Sequence, residues 1–437
     1  MHILFYFVAM FKSIVLSGMI LLFGCQLLVA QTADIIYSKQ TTKEYQDKEY
    51  RNLLKSINTN LSLPLTDSAE EDWQGAFSAM ELINYRSAWT DGRIKQVVDS
   101  LAIRTTDFQR AFLELIYTLQ INDYQSGIYK LLLQTSNSKI FAMCAEYLML
   151  CNSSLASNRE MAAIASKKLK EIKDGPNYAI VFSLLNRLAD KEPGNIPKET
   201  DLTPLFATDY LNGNVIVYSI QRKNRNYPGR AIVRDKNGRF VISESGDIFS
   251  IPQLARSITN LPGYLTNGNT PQGIFRMDGF AVSQSSFIGP TENIQLTMPN
   301  EASIVHFIKN IPAADTLYLY ALYAGLLPEE LKNYQPLFES YQAGMAGRTE
   351  IIAHGATVNS GYYANRPYYP LIPTQGCLSA KEIWSTVDGK RIESDQQLLV
   401  NAIKAAGGAD GYLIVIEIDD QQRPVGIDEI LPFLNKQ

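Results

Sequence analysis

The chain is expected to fold as a multidomain α and β protein, with an all-α N-terminal region followed by a mainly β domain, and three features predict this. Between about Thr41 and Asp190 apolar residues recur at helical spacing. After Lys191 the texture changes to short β-branched runs separated by turn residues. Ahead of both regions lies an uncharged apolar leader.

The leader comes first. Met1 to Phe11 is apolar and aromatic, Lys12 adds a positive charge, and Ser13 to Ala30 carries no charge and ends Leu28-Val29-Ala30. A positively flanked apolar stretch closing on a small residue has the pattern of a secretory signal peptide, so residues 1–30 are read as one, with Met10 as a second candidate start. Leu22-Phe23-Gly24-Cys25 loosely matches a lipoprotein box, which makes lipidation at Cys25 one alternative and an uncleaved anchor another. Export to the periplasm or cell envelope follows. No later apolar run approaches the ~20 residues of a spanning helix, so membrane association after signal removal is expected to be peripheral or absent.

Composition narrows the function classes. The 437 residues are 46% hydrophobic and 19% charged, enough to bury substantial cores in two or three domains. A net charge of -4 supplies no basic field, which argues against nucleic acid as a partner.

Residues 41–190 read as a helical domain. Phe108, Phe112 and Leu115 share one face, as do Ile140, Cys144 and Tyr147, then Tyr178, Phe182 and Leu185. Aligned, these stripes recur at roughly 32 to 38 residues, the range of helical-hairpin repeats, so the domain is either repeat-like or an irregular bundle. It carries no chemical motif and is assigned to binding a protein partner or positioning the rest of the chain. Cys144 and Cys151 fall on one helix with Cα atoms ~10 Å apart, beyond the ~7 Å a disulfide spans, and are read as buried fillers.

Lys191-Glu192-Pro193-Gly194-Asn195-Ile196-Pro197-Lys198 breaks the helical period and opens a linker over 191–211. Strands are expected at Val215–Tyr218, Ala231–Arg234 and Arg239–Ile242, with a hairpin turn at Asp235-Lys236-Asn237-Gly238. Asn269 to Met277 reads as a turn feeding a strand. After Ser379, whose spacing to Glu382 fits a capping box, a short helix is expected whose positive end would favour a thiolate nearby. Asp395 to Ala406 reads as a helix closed by Gly407-Gly408, and Tyr412 to Ile418 as a buried strand.

Residues able to do covalent chemistry are few. Of His2, His306 and His354, the first falls in the leader. Cys377 lies in the polar loop Thr374-Gln375-Gly376-Cys377-Leu378-Ser379, off any apolar helix face, and His354 ends the apolar run Ile351-Ile352-Ala353-His354-Gly355. A thiol of ordinary pKa, ~8.5, is only partly ionised at neutral pH, and an imidazole can take its proton. Attack on an amide carbonyl then needs fixed donors for the oxyanion, and the backbone N–H groups of Gly376, Cys377 and Gln375 are the candidates. Gly376 permits close backbone approach.

Taken in order, Thr270-Pro271-Gln272-Gly273-Ile274-Phe275, His354-Gly355 and Thr374-Gln375-Gly376-Cys377-Leu378-Ser379 resemble the L,D-transpeptidase (YkuD-like) family. The resemblance covers roughly residues 212 to 420, and 212–437 is read as an L,D-transpeptidase-like catalytic domain. It is that of a divergent member: the family usually shows Ser-His-Gly-Cys where this chain has Thr374-Gln375-Gly376-Cys377, and an Arg or Asn where Ser379 stands. The resemblance implies that Cys377 cleaves a peptidoglycan stem peptide between a diamino-acid third residue and D-Ala. A thioester remains, and an amine of a neighbouring stem attacks it to cross-link two third residues. With water as acceptor the protein would be an L,D-carboxypeptidase or a cysteine amidase; the reading from another class is a non-catalytic wall-binding scaffold.

Between base and nucleophile, residues 360–370 carry four tyrosines and Arg366. They are read either as a lid, with Arg366 pairing a substrate carboxylate, or as a surface loop whose aromatics cover the core. Gly355, Tyr369 and Thr374 are further substrate-contact candidates. His306, among apolar neighbours, is the rival base and is read as structural; Asp278 and Asp388 are orienting carboxylates or loop formers. No zinc-ligand spacing and no glycine-rich phosphate loop is present, so neither metal nor cofactor is expected.

Overall fold

The computed structural model describes residues 35–190, 200–309 and 320–434. The leader, Cys25 and the linker segment 191–199 lie outside the described residues. Ser38–Gln437 is one compact unit.

Its helical region comprises α1 (Lys43–Ser62), α2 (Glu70–Leu82), α3 (Ala88–Val98), α4 (Thr106–Thr118), α5 (Gln125–Gln134), α6 (Ser138–Leu150), α7 (Asn158–Glu171) and α8 (Pro176–Asp190). Short polar side chains start five of them: Thr42, Ser87, Thr105, Asn137 and Ser157 each accept from a backbone N–H of the first turn, with full capping boxes at Ser87 and Ser157. Helices pair as α1 with α2, α5 with α6 and α7 with α8, while α2, α4, α6 and α8 pack successively in one row. That is a stack of helical hairpins.

Phe108, Phe112, Leu115, Ile140, Cys144 and Tyr147 are all fully buried, as their spacing predicts. The third stripe does not form the core face. Tyr178, Phe182 and Leu185 are only half-buried, and the core face of α8 is Ile180, Val181, Leu184 and Leu188. Apolar residues run nearly all round α8, so periodicity cannot select a face, and neighbouring helices do so instead. Cys144 and Cys151 are free thiols.

The β region is a closed eight-stranded barrel, of order β1-β10-β4-β5-β6-β7-β3-β2. Its strands are β1 (Val215–Arg222), β2 (Gly229–Arg234), β3 (Ser250–Leu254), β4 (Gly273–Ala281), β5 (Asn293–Thr297), β6 (Ile352–His354), β7 (Leu378–Ala380) and β10 (Asp410–Asp419). A separate hairpin pairs β8 (Glu382–Trp384) with β9 (Arg391–Ser394). All eight barrel strands feed one apolar cluster, including Val217, Val233, Ile251, Phe275, Ile294, Ala353, Leu378 and Leu413. The helix Asp395–Ala406 adds Leu399, Val400 and Ile403 to the same core. Alternation along the strands therefore turns Ala353 and Leu378 inward and their chain neighbours outward.

Two local expectations fail. The turn at 235–238 forms, with Gly238 at φ 82°, but residues 239–242 make only isolated bridges through Phe240 and Ile242. Asp235 draws the Arg239 N–H and guanidinium to itself, and Ile242 is exposed, so no buried face fixes a third strand. No helix follows Cys377 either. Residues 378–380 are strand β7, closing the barrel between β6 and β3, and residues 382–384 are β8. The Ser379 hydroxyl donates to Ile372 O (2.6 Å) instead of capping, and no helix dipole acts on Cys377 from residues 378–384.

Among the described residues no helix is long and apolar enough to cross a membrane. The helical core takes in part of the barrel's β3–β4 connection: Leu261, Tyr264 and Leu265 belong to the same buried cluster as the helices, while the barrel strands keep their own.

Candidate functional site

Strands β6 and β7 run parallel, with Ala353 opposite Leu378 and His354 opposite Ser379. Cys377 directly precedes β7 and is level with Ile352. Since Ala353 and Leu378 face inward, His354 and Cys377 share the outer face two positions apart, a Cα separation of roughly 8 Å at ordinary strand spacing and rise. The Cys377 side chain is turned along β6 towards Glu350 O, the end opposite to His354, so contact between the two groups requires rotation of the thiol about χ1. His354 ends β6, and Cys377 is the loop residue that leads into the adjacent β7.

His354 is buried, and its Nδ1 bonds Gly355 O. A carbonyl only accepts, so Nδ1 carries the proton and Nε2 is left with the lone pair. Burial pulls the imidazole below its ordinary pKa, partly offset by the Gly355 carbonyl. The ring is therefore a neutral base at physiological pH.

Cys377 is half-buried and its Sγ–H points to Glu350 O at 3.7 Å. Burial pushes the thiol above its usual pKa; the Ile352 N–H and the Arg348 guanidinium pull it down, and Glu350 pushes it up. At rest the thiol and the imidazole are both neutral, each bonded to a backbone carbonyl of its own, Glu350 O and Gly355 O.

The loop carrying the thiol is fastened by hydroxyls. Thr374 Oγ1 donates to Cys377 O (2.8 Å) and accepts from Gly376 N (3.0 Å), and Thr270 Oγ1 donates to Gly376 O (2.8 Å). Thr374 thus shapes the loop from within, and its hydroxyl is not turned to a ligand. Gly376 N–H is committed to that contact, so of the three proposed oxyanion donors only Gln375 and Cys377 remain. Gly376 has φ 126°, and a Cβ there would collide with Arg348 Nη2, a double requirement for glycine. Gly273, at the end of the Thr270–Gly273 turn, has φ 122° and lies against Ser340 and Tyr323.

Gly355 is a contact position for protein, not ligand: a Cβ there would strike the Glu382 carboxylate. Glu382 is buried, accepts from Thr291 and Ser394 hydroxyls (2.5 and 2.7 Å) through Oε1, and leaves Oε2 without a hydrogen-bond partner. Burial raises its pKa to about 7.

The tyrosine-rich segment is pinned to the helices. Tyr363 OH donates to Leu82 O (2.8 Å), Arg366 Nη2 to Asn84 Oδ1 (2.8 Å), and Tyr362 lies 6.0 Å from Tyr50 between ring centroids. Arg366 is therefore engaged with α2's C-terminal turn and not held over the thiol, while Tyr369 is about half exposed. A cleft lies beside this segment, lined by Tyr45, Gln46, Glu49, Phe287, Asn359 and Tyr362. His306, expected among apolar neighbours, is instead half-exposed and paired with Asp278 at 2.9 Å. Asp278 thus orients His306 and not His354. Asp388 sits exposed in the β8–β9 turn, where its Oδ1 accepts from Lys390 N. Among the described residues no cluster of three or more His, Cys, Asp or Glu is arranged to hold a metal ion.

Two features escape sequence reasoning. Arg348 is a buried guanidinium behind the Cys377 loop, donating to Gly263 O, Asn269 O (2.9 Å) and Gly268 O (3.1 Å). The segment 256–270 that supplies those carbonyls also brackets Thr374, through Arg256 O and Ile258 N. Neither has a side-chain pattern to announce it. No protein-family model, curated protein or solved structure matches this chain.

Proposed function

We propose that the protein remodels peptidoglycan by cysteine acyl transfer, as an L,D-transpeptidase joining third residues of stem peptides. What supports this reading is the parallel register of β6 and β7, which sets His354 opposite Ser379 and so two residues along from Cys377, with the imidazole tautomer set by Gly355 O.

In this reading the resting neutral pair reacts in concert. The Cys377 proton passes to His354 Nε2 as Sγ bonds to the carbonyl carbon of the third residue. N–H groups of Gln375 and Cys377 receive the oxyanion, each such donor being worth about 3 kcal/mol in comparable sites. Collapse breaks the C–N bond, the imidazolium proton goes to the departing D-Ala amine, and a thioester remains. The acceptor amine then adds, loses its proton through His354, and the thiol is regenerated. Chemistry of this kind needs no metal or cofactor. In this reading the enzyme would work in the periplasm or cell envelope, which the leader's sequence pattern supports, with the helical region as a partner-binding or positioning element.

Incubating purified protein with disaccharide-tetrapeptide and counting both released D-Ala and cross-linked dimers tests this. Dimers in a stoichiometry matching D-Ala are expected, and none with Cys377→Ala. D-Ala without dimers assigns water as the acceptor and makes the protein an L,D-carboxypeptidase. No turnover, with Cys377→Ala silent in cells, assigns a wall-binding scaffold.

A further inference from the structure

The Arg348 guanidinium stands behind the Cys377 loop with no protein carboxylate in ion-pair distance among the described residues. Its hydrogen bonds go to three backbone carbonyls, Gly263, Gly268 and Asn269, all from the segment that also grips Thr374. Such an arrangement fixes a cation but leaves its charge uncompensated, an expensive state for a buried group. Gly376 is the residue through which the guanidinium touches the loop, since any Cβ there would collide with Nη2. The next residue along is the thiol.

We infer that Arg348 is the built-in counter-charge of the Cys377 thiolate, a positioning residue that stabilises negative charge on sulfur as it attacks and as it leaves. The inference deepens the acyl-transfer reading and rests on Cys377 being its nucleophile. Electrostatics runs in both directions across this contact: desolvation pulls the guanidinium down to about 10 while Cys377 raises it, and Arg348 in turn lowers the thiol. The other charged groups acting on this pair are Glu350, which opposes a thiolate, and Lys139 of α6, which feels the Arg348 charge. Because the guanidinium is already anchored by three backbone carbonyls, it needs little reorganisation when charge forms on sulfur, the condition under which a fixed charge helps most.

The test reads thiol reactivity and needs no peptidoglycan, so its failure is separable from failure of the transpeptidase reading. Alkylation of Cys377 in the full chain is followed by peptide mass across pH 5.5 to 10, using neutral iodoacetamide and anionic iodoacetate. A cation beside the sulfur predicts that the iodoacetate-to-iodoacetamide rate ratio exceeds that of free N-acetylcysteine by about 3-fold or more. Arg348→Met is expected to move the apparent thiol pKa up by about one unit, slowing alkylation about 10-fold at pH 7.5, while Arg348→Lys retains part of the effect. An unshifted profile in folded Arg348→Met overturns the inference. So does a wild-type ratio no greater than that of N-acetylcysteine, which needs no variant to fold.

Discussion

Two connections reach from the barrel to the helices, residues 256–270 and residues 356–372, and they do opposite things. The first buries Leu261, Tyr264 and Leu265 in the helical core and turns its carbonyls on Arg348 and the Cys377 loop. Its polar anchors are internal: Tyr264 OH donates to Glu146 Oε1 (2.9 Å), which also pairs Arg187, and Asn267 Nδ2 donates to Glu114. The second connection, rich in tyrosine, covers its own small cluster of Leu254, Tyr363, Tyr368 and Leu371 and meets the helices at its margin. The quieter sequence thus holds the site, and the conspicuous one attaches at its edge. Work done by main-chain carbonyls leaves no signature in residue type.

The sharpest way to break this contrast is Tyr264→Ala. Loss of a buried aromatic should cost about 3–5 kcal/mol in urea denaturation and slow Cys377 alkylation, because the helical region supports the site through this ring. A cost below 1 kcal/mol with unchanged alkylation would show that the helices do not support the loop.

A pH experiment probes where the second connection leaves β6. Glu382 lies against Gly355, and the neighbouring Trp384 Nε1 donates to Ala356 O (3.0 Å). Its folded pKa is raised to about 7, so the folded state binds a proton that the unfolded chain releases near the ordinary value. The contribution is therefore present below the unfolded pKa and lost as pH rises through 7. The loss is on the order of 1–3 kcal/mol. Glu382→Gln should flatten the fall in urea midpoint between pH 5 and pH 8, and Glu339, also raised to about 7 by burial beside Glu417, should account for a remaining slope of the same sign. An unaltered slope in the variant would remove Glu382 from the account.

Smaller effects should follow at the margin. Tyr363→Phe removes one hydrogen bond to Leu82 O and is expected to cost about 1 kcal/mol. Arg366→Ala, at an exposed contact with Asn84, should change stability by no more than about 0.5 kcal/mol. Turnover should also be unaffected by Arg366→Ala. A large rise in KM there would restore Arg366 to the substrate and overturn the assignment of this segment to the edge.

The same contrast explains what was legible in the sequence. The helix Asp395–Ala406 and strand Asp410–Asp419 were readable because period, cap and closing glycines agree. His354 and Cys377 stood out as a rare imidazole and a thiol off any helix face. Ser379 to Glu382 misled because its local pattern fits a capping box, while the partner that makes it a strand, Gln253 opposite Ala380, lies far away in the chain. Arg348 was invisible because nothing in its neighbours' side chains marks the carbonyls it uses. The outward face of α8 was ambiguous because the helix is apolar on most sides.

The central claim is that Cys377 is a nucleophile activated by His354. Intact-mass measurement of the full chain after exposure to a carbapenem tests it most directly, since a strained acyl donor traps such a thiol as a covalent adduct. The account predicts one adduct, mapped to Cys377, formed far more slowly in His354→Ala. No adduct, or one that forms equally fast without the imidazole, would contradict it.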